Sequence, residues 1–141
     1  MRINVKKIHK NAQIPCYQSA GAAGFDLHAC ESVRIEPGSV GVVPIGIAIE
    51  IESGFEVQVR SRSGLALQGI SVLNSPGTID SDYRGELRVI LMNHSTSPFV
   101  VQIGDRIAQG VLARVFSAEF AEVPILNPSV RDTKGFGSTG I

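Results

Sequence analysis

Residues 45–60 read IGIAIEIESGFEVQVR, and this stretch decides the fold class of the chain. Apolar residues occupy every second position in residues 45–51 and again in residues 55–60. Alternation of period two is typical of half-buried β-strands, and the Ser53-Gly54 pair between the runs is typical of a hairpin turn. The stretch therefore predicts two strands joined as a hairpin.

The same alternation recurs along the chain. Further strands are predicted over residues 2–7, 39–43, 70–73, 86–93 and 106–115. There is no sustained period of 3.6 residues, and the best helical candidate is residues 63–68, with Ser63 as the N-cap. We therefore predict an all-β protein, a barrel or sandwich of short strands with at most one short helix.

Composition narrows the class of partner. The 141 residues, 43% hydrophobic and 18% charged, suit one globular domain. A formal net charge of zero argues against a nucleic-acid polymer or a membrane surface as partner. Cys16 and Cys30 form neither a disulfide framework nor a metal quartet, and the N-terminus lacks the apolar run of a signal peptide. A cytoplasmic location is expected.

The C-terminal segment differs from the rest. From residue 124 onward the sequence has no periodicity, which predicts an arm over 124–141 after a domain over 1–123; the arm stays mobile or orders on a partner. Residues 135–140, GFGSTG, match the G-x-G-x-x-G string but lack the strand and helix that a dinucleotide fold needs. The glycines can still bring backbone N–H groups close to an anion.

Two segments combine turn residues with charged groups. NSPGTIDSDYRGEL, residues 74–87, is either a rigid loop that holds a reactive carboxylate, Asp80 or Asp82, or a solvated hairpin. RSRSGLA, residues 60–66, places Arg62 beside the predicted helix start, which is either a phosphate site or a solvated strand end.

Two further segments carry polar residues on apolar strands. AGAAGFDLHA, residues 20–29, holds Asp26 among apolar neighbours, so its carboxylate needs arginine, backbone donors or a metal with its waters. GDRIAQ, residues 104–109, is interpreted as a turn followed by a core strand with Arg106 and Gln109. The histidines lack metal-ligand spacing, and nothing indicates a covalent nucleophile.

Taken in order, these segments together with RDTKGFGSTG at 131–140 resemble the five motifs of the trimeric dUTP pyrophosphatases, the dUTPases. The resemblance spans residues 20–140. It implies a β-clip fold, a distorted jelly-roll-like barrel, assembled as a homotrimer with its sites at subunit boundaries. It also implies Mg²⁺-dependent hydrolysis of dUTP to dUMP and pyrophosphate, which limits uracil incorporation into DNA and supplies dUMP for dTMP synthesis.

The resemblance assigns roles to individual positions. Asp80 would be the general base for in-line attack of water on the α-phosphorus, Tyr83 would exclude a 2′-hydroxyl, and Asp26 would support Mg²⁺ through water. Substrate-binding positions would be Arg62, Ser63, Gly64, Asn74, Gly77, Thr78, Ile79, Tyr83, Arg88, Gln109, Arg131, Phe136, Gly137, Ser138 and Thr139.

The last motif departs from the family pattern. Asp132-Thr133-Lys134 stands where the family usually has glycines. Residues other than glycine make this part of the arm stiffer, so the geometry of its closure would differ from that of the family. Two alternatives to dUTP hydrolysis remain open, a dCTP deaminase-like enzyme of the same fold and a non-catalytic nucleotide-binding regulatory module. The module would be expected to lose Asp80 or Arg131, and this chain has both.

Overall fold

The computed structural model describes residues 1–133 and Gly135, which form eleven short strands and one helical turn. The strands are β1 (Asn4–Lys7), β2 (Phe25–His28), β3 (Val33–Ile35), β4 (Val40–Pro44), β5 (Ile47–Glu50), β6 (Phe55–Arg60), β7 (Ile70–Val72), β8 (Gly77–Ile79), β9 (Arg88–Asn93), β10 (Phe99–Val101) and β11 (Arg106–Arg114). The helix is α1 (Ser63–Ala66). The prediction of an all-β fold with at most one short helix is confirmed.

The strands make two larger sheets and two strand pairs, and every pairing is antiparallel. One sheet has the order β2-β11-β6-β8 and the other β4-β9-β7, while β1 pairs with β5 and β3 with β10. The inward side chains of all four units form one apolar cluster, which includes Leu27, Ile47, Val57, Leu91 and Ile107. Burial of this common face holds the short strands together, since two-stranded units alone are marginal in water.

The stretch at residues 45–60 forms two strands, but the predicted hairpin is wrong. β5 pairs with β1, and β6 pairs with β11 and β8. A tight turn separates them, in which the Phe55 N–H donates to the Glu52 carbonyl oxygen at 3.2 Å and Gly54 has a φ of 87°. Because β5 and β6 bury their apolar residues from different sheets, the turn carries the chain from one sheet to another.

Three strands of three residues each, β3, β8 and β10, were not predicted. A strand of three residues shows at most one alternation, and of the four strands of this length only β7, predicted over residues 70–73, was recognised. β8 lies inside the segment interpreted as a loop, where Thr78 pairs with Gln58 and Ile79 with Val57 of β6. The catalytic candidate Asp80 therefore follows the end of a strand.

The predicted N-cap at Ser63 is also wrong. The N-cap position is Arg62, with φ −92° and ψ 135°, and no side chain caps the helix. Ser63 is the first residue of α1, because the Arg62 carbonyl oxygen already accepts the N–H groups of Leu65 and Ala66. The helix ends at Ala66, short of the predicted residue 68.

The two cysteines differ in accessibility. Both are free thiols, Cys16 exposed and Cys30 buried, and burial raises the pKa of Cys30. Within residues 1–133, no helix has the length and apolar character needed to cross a membrane.

Candidate active site

The buried carboxylate of Asp26 lies between two arginine side chains. Arg62 Nε is 3.2 Å from Asp26 Oδ1, and Arg106 Nη1 is 3.4 Å from Oδ2. Arg62 Nη1 also donates to the carbonyl oxygen of Arg106 at 2.7 Å. Of the partners that the sequence left open for Asp26, the structure provides arginine. The three side chains carry a net charge of +1, which favours an anionic ligand.

The antiparallel pairing of β2, β11 and β6 builds this cluster. Gln109 of β11 lies opposite Asp26 on one side and Arg60 on the other. A register shift between Arg106 and Ala108 lets β11 turn both Arg106 and Gln109 toward this end of the sheet.

Gln109 is held in place from two directions. Its Nε2 donates to the Ser61 carbonyl oxygen at 2.9 Å. Its amide also lies so close to Gly24 that a Cβ at position 24 would overlap Gln109 Oε1. The second glycine of the AGAAG string is therefore the position that admits this side chain.

His28 borders the same cluster. Burial lowers its pKa, the negative charge of Asp26 partly offsets that effect, and the positive charges of Arg106 and Arg62 lower it further. The ring is therefore neutral at pH 7. Its Nδ1 is buried and has no hydrogen-bond partner among the described residues.

Ser63 and Gly64 follow the arginine cluster directly and are exposed in α1. A helix of four residues has only a small dipole. Phosphate binding here would therefore depend on Arg62 and on individual backbone N–H groups. Arg60, at the end of β6, bonds to Gln58 and does not join the cluster.

Asn74, Gly77, Thr78 and Ile79 lie on β8 and the turn before it. The Ser75–Pro76 peptide bond in this turn is cis. A Cβ at Gly77 would lie 3.1 Å from Asn74 Nδ2, so the amide packs against the start of β8. Asn74 and Thr78 are both exposed and available to a ligand.

Asp80 comes after β8 and lines an open cleft of about 630 Å³. Asp82 and Glu56 line the same cleft, which also contains Ser81 and Phe55. Among the described residues, three carboxylates and no cation border this space, so the cleft does not by itself suit a polyphosphate.

Tyr83 lies in the loop between β8 and β9, and Arg88 is the first residue of β9. The Tyr83 hydroxyl donates to the Glu86 carbonyl oxygen at 3.0 Å, and 45% of Tyr83 is exposed. Arg88 Nε lies 2.9 Å from Glu86 Oε2, so its side chain is engaged locally while its backbone pairs with Pro44.

Asp80 and Arg62 lie toward opposite ends of β6 within one chain, whereas Gly77 pairs with Val59 close to the Arg60 end. Asp80 lies beside the Phe55 end of β6, whereas Arg62 follows the Arg60 end. Those two ends are about 17 Å apart at 3.3 Å per residue. Arg62 and Arg106 line a separate cleft of about 290 Å³ that contains neither Asp80 nor Tyr83.

The structure describes only some of the site residues predicted in the last motif. Arg131 is exposed, and Asp132 has a φ of 48° with its N–H bonded to Ser129 Oγ at 2.9 Å. The aspartate thus adopts the left-handed conformation that a glycine of the family pattern would adopt easily. Phe136, Gly137, Ser138, Thr139 and Lys134 lie outside the described residues.

One further cluster was missed by the sequence reasoning. Single ligand atoms of His9, Cys30 and Glu31 lie within 4.8 Å of one another. However, His9 Nδ1 accepts the N–H of Asn11 at 3.1 Å, so the neutral ring carries its proton on Nε2, 3.8 Å from Glu31 Oε1. At 3.8 Å the Glu31 contact is too long for a hydrogen bond, but with the Nδ1 lone pair used by Asn11 and the proton on Nε2 neither ring nitrogen offers a free lone pair to a metal.

Comparison with known proteins identifies the family. The dUTPase family model matches residues 10–140. The deoxyuridine 5′-triphosphate nucleotidohydrolase of Helicobacter pylori is 58% identical over 142 residues, which cover 100% of this chain and 98% of the relative. The chain belongs to the dUTPase family. The same-named protein of Helicobacter hepaticus is 60% identical over 100% of this chain and 90% of its own length.

Solved dUTPases share the fold. The dUTPase of Staphylococcus bacteriophage 80alpha, determined with dUpNHpp, has a TM-score of 0.91 and 26% identity, with 99% of each chain covered. The dUTPase of phage phi11, described with a structural Mg(II) ion, has a TM-score of 0.84 at 21% identity, with 91% of this chain and 100% of that chain covered. The chain is a dUTP diphosphatase, and deamination of dCTP is not favoured.

Proposed function

We propose that the enzyme hydrolyses dUTP at a site that combines the Asp80 cleft of one copy with the Arg62 cleft of another. The observation that carries this proposal is that Asp80 and Arg62 lie toward opposite ends of β6, which are about 17 Å apart. The first cleft is acidic and the second basic, and a triphosphate needs both a base for the attacking water and cations for its charge.

In this site Asp80 takes the proton of a water that attacks the α-phosphorus in line, and pyrophosphate leaves. Arg62 binds the phosphate oxygens with N–H groups that Asp26 and the Arg106 carbonyl do not occupy, since a guanidinium has five. The backbone of Ser63 and Gly64 and the amide of Gln109 add donors. These groups act mainly by positioning and charge stabilisation.

The nucleoside binds beside β8 in this proposal. Asn74 and the backbone of residues 77–79 contact uracil and the sugar, Arg88 contributes its backbone, and Tyr83 excludes a 2′-hydroxyl. The exposure of Asn74, Thr78 and Tyr83 on β8 and the turns that flank it supports this arrangement.

Mg²⁺ fits the site as an outer-sphere partner of Asp26. Each carboxylate oxygen already faces one arginine, yet a carboxylate has about four lone-pair positions, so a metal-bound water can still be accepted. Direct coordination would place the cation against two guanidinium groups. When bound, Mg²⁺ neutralises part of the triphosphate charge.

We propose a homotrimer with these sites at its subunit boundaries. Two apolar surfaces support self-association. The outward face of β4-β9-β7 carries Val40 and Val42, each half exposed, beside Ile90 and Met92. The chain after β11 exposes Phe116, Phe120, Ile125 and Leu126.

We also propose a catalytic domain over 1–123 and an arm over 124–141, which is consistent with the last described strand ending at Arg114. The arm closes over a neighbouring copy's site, with Arg131 on the terminal phosphate, Phe136 on uracil, and Gly137, Ser138 and Thr139 as further contacts. We also propose a cytoplasmic location, which the two free thiols support.

Substrate choice tests the proposed reaction. With Mg²⁺ present, pyrophosphate release is expected from dUTP, with far lower kcat/KM for UTP, dCTP and dTTP, and chelation of Mg²⁺ should reduce it. Ammonia release from dCTP would support the deaminase alternative, and binding of dUTP without turnover would support the regulatory module.

A further inference from the structure

Gly85 has no room for a side chain because Tyr83 folds over it. A Cβ at position 85 would lie 2.9 Å from Tyr83 Cε2 and closer still to Cζ and the hydroxyl oxygen. Gly85 is not among the glycines with positive φ, so alanine there would meet the ring without backbone strain. The missing side chain thus creates the space that the tyrosine occupies.

The loop around Tyr83 is fixed by its own hydrogen bonds. The Tyr83 N–H donates to the Asp80 carbonyl oxygen at 3.2 Å, and Arg84 Nη1 donates to the carbonyl oxygens of Ser81 and Tyr83 at 2.6 and 2.9 Å. The Tyr83 hydroxyl closes the turn on the Glu86 carbonyl oxygen at 3.0 Å. One edge of the phenol is therefore seated on the backbone at Gly85 and Glu86.

The loop is anchored to the core directly after Gly85. The Leu87 side chain is buried, its N–H donates to the Ile47 carbonyl oxygen at 2.8 Å, and its carbonyl oxygen accepts the Ile45 N–H at 3.0 Å. If a methyl group were added at position 85, the half-exposed Tyr83 side chain would move more easily than this anchored backbone.

We propose that Gly85 is a specificity-determining position, which sets the distance between Tyr83 and the sugar and thereby the discrimination between deoxyribo- and ribonucleoside triphosphates. Gly85 acts as a positioning residue and contacts no substrate itself. This inference rests on the proposed sugar-gating role of Tyr83. Tyr83 would exclude a ribonucleotide only by lying close to the 2′ position of the sugar. A displacement of the ring by the size of a methyl group is therefore enough to change the discrimination.

The test is the ratio of kcat/KM for dUTP to kcat/KM for UTP. Gly85→Ala is expected to lower this ratio about tenfold, the discrimination typical of one methyl group, while the thermal midpoint stays close to wild type. Gly21→Ala is the matched control, since nothing lies within 4 Å of its new Cβ, and it should keep the wild-type ratio. Tyr83→Phe, which loses only the bond to Glu86, should lower the ratio less.

A double-mutant cycle separates positioning from a general structural role. Tyr83→Ala alone should lower the ratio strongly, and adding Gly85→Ala to it should change nothing further. If Tyr83→Ala leaves the ratio unchanged, both the gate and the role of Gly85 are wrong. Two other outcomes would overturn only the role of Gly85. In the first, Tyr83→Ala lowers the ratio but Gly85→Ala does not. In the second, Gly85→Ala lowers the ratio equally with and without the tyrosine.

Discussion

Replacing Asp80 with asparagine is expected to reduce kcat for dUTP hydrolysis by about 10²- to 10⁴-fold, the range for loss of a general base. Asparagine keeps the size of the side chain but cannot take a proton from water. Asp80 is exposed and follows β8, so folding and KM should change little. Steady-state pyrophosphate release, together with a thermal melt, measures both quantities.

Asp82→Asn is the control for this experiment. Asp82 lines the same cleft, and its substitution removes the same negative charge. The variant therefore reports the effect of lost negative charge in the cleft alone. Its kcat should stay near wild type. Equal losses from Asp80→Asn and Asp82→Asn, or full activity of Asp80→Asn, would mean that Asp80 is not the base.

The second large effect is expected from Arg62→Ala. The substitution removes a cation from the triphosphate and leaves the buried carboxylate of Asp26 with Arg106 as its remaining ion-pair partner among the described residues. A loss of about 10²- to 10³-fold in kcat/KM is expected, comparable to the removal of one donor from a preorganised anion site. Arg62→Lys should recover only part of it, because an ammonium group cannot bond Asp26 and phosphate as a fork does.

Arg60→Ala provides the matched comparison. Arg60 is two residues earlier, is exposed and bonds only to the Gln58 side chain among the contacts described. Its removal should leave kcat/KM near wild type. If Arg62→Ala behaves like Arg60→Ala, the basic cleft is not the phosphate site.

The fold could be predicted from sequence wherever strands were long enough to show alternation. β6, β9 and β11 have six or more residues each and were recognised, whereas of the four strands with three residues β7 was recognised and β3, β8 and β10 were not. The pairing of strands was not visible either. The turn at Ser53–Gly54 has hairpin chemistry, but the burial of both flanking strands against one core sends them to different sheets.

The candidate site could be located but not assembled from sequence. The ordered motifs identified Asp26, Arg62 and Asp80, yet local pattern could not show that Asp26 is paired with two arginines. Arg106 was overlooked as a partner because its contact with Asp26 crosses 80 positions of sequence. Gly85 carries no charge or hydroxyl, so only the three-dimensional position of the Tyr83 ring gives it a role.

The central claim is that each site takes Asp80 from one copy and Arg62 from another. Two chains with different tags test it directly, one carrying Asp80→Asn and the other Arg62→Ala. They are co-expressed, and the hybrids are captured first on one tag and then on the other. In each captured hybrid of the proposed trimer, one of the three sites would receive both native residues, so pyrophosphate release should far exceed that of either parent. Native mass spectrometry confirms that the captured species are hybrids. If their activity is no higher than that of the parents, the claim is contradicted, because that result would mean that both residues of each site come from the same chain.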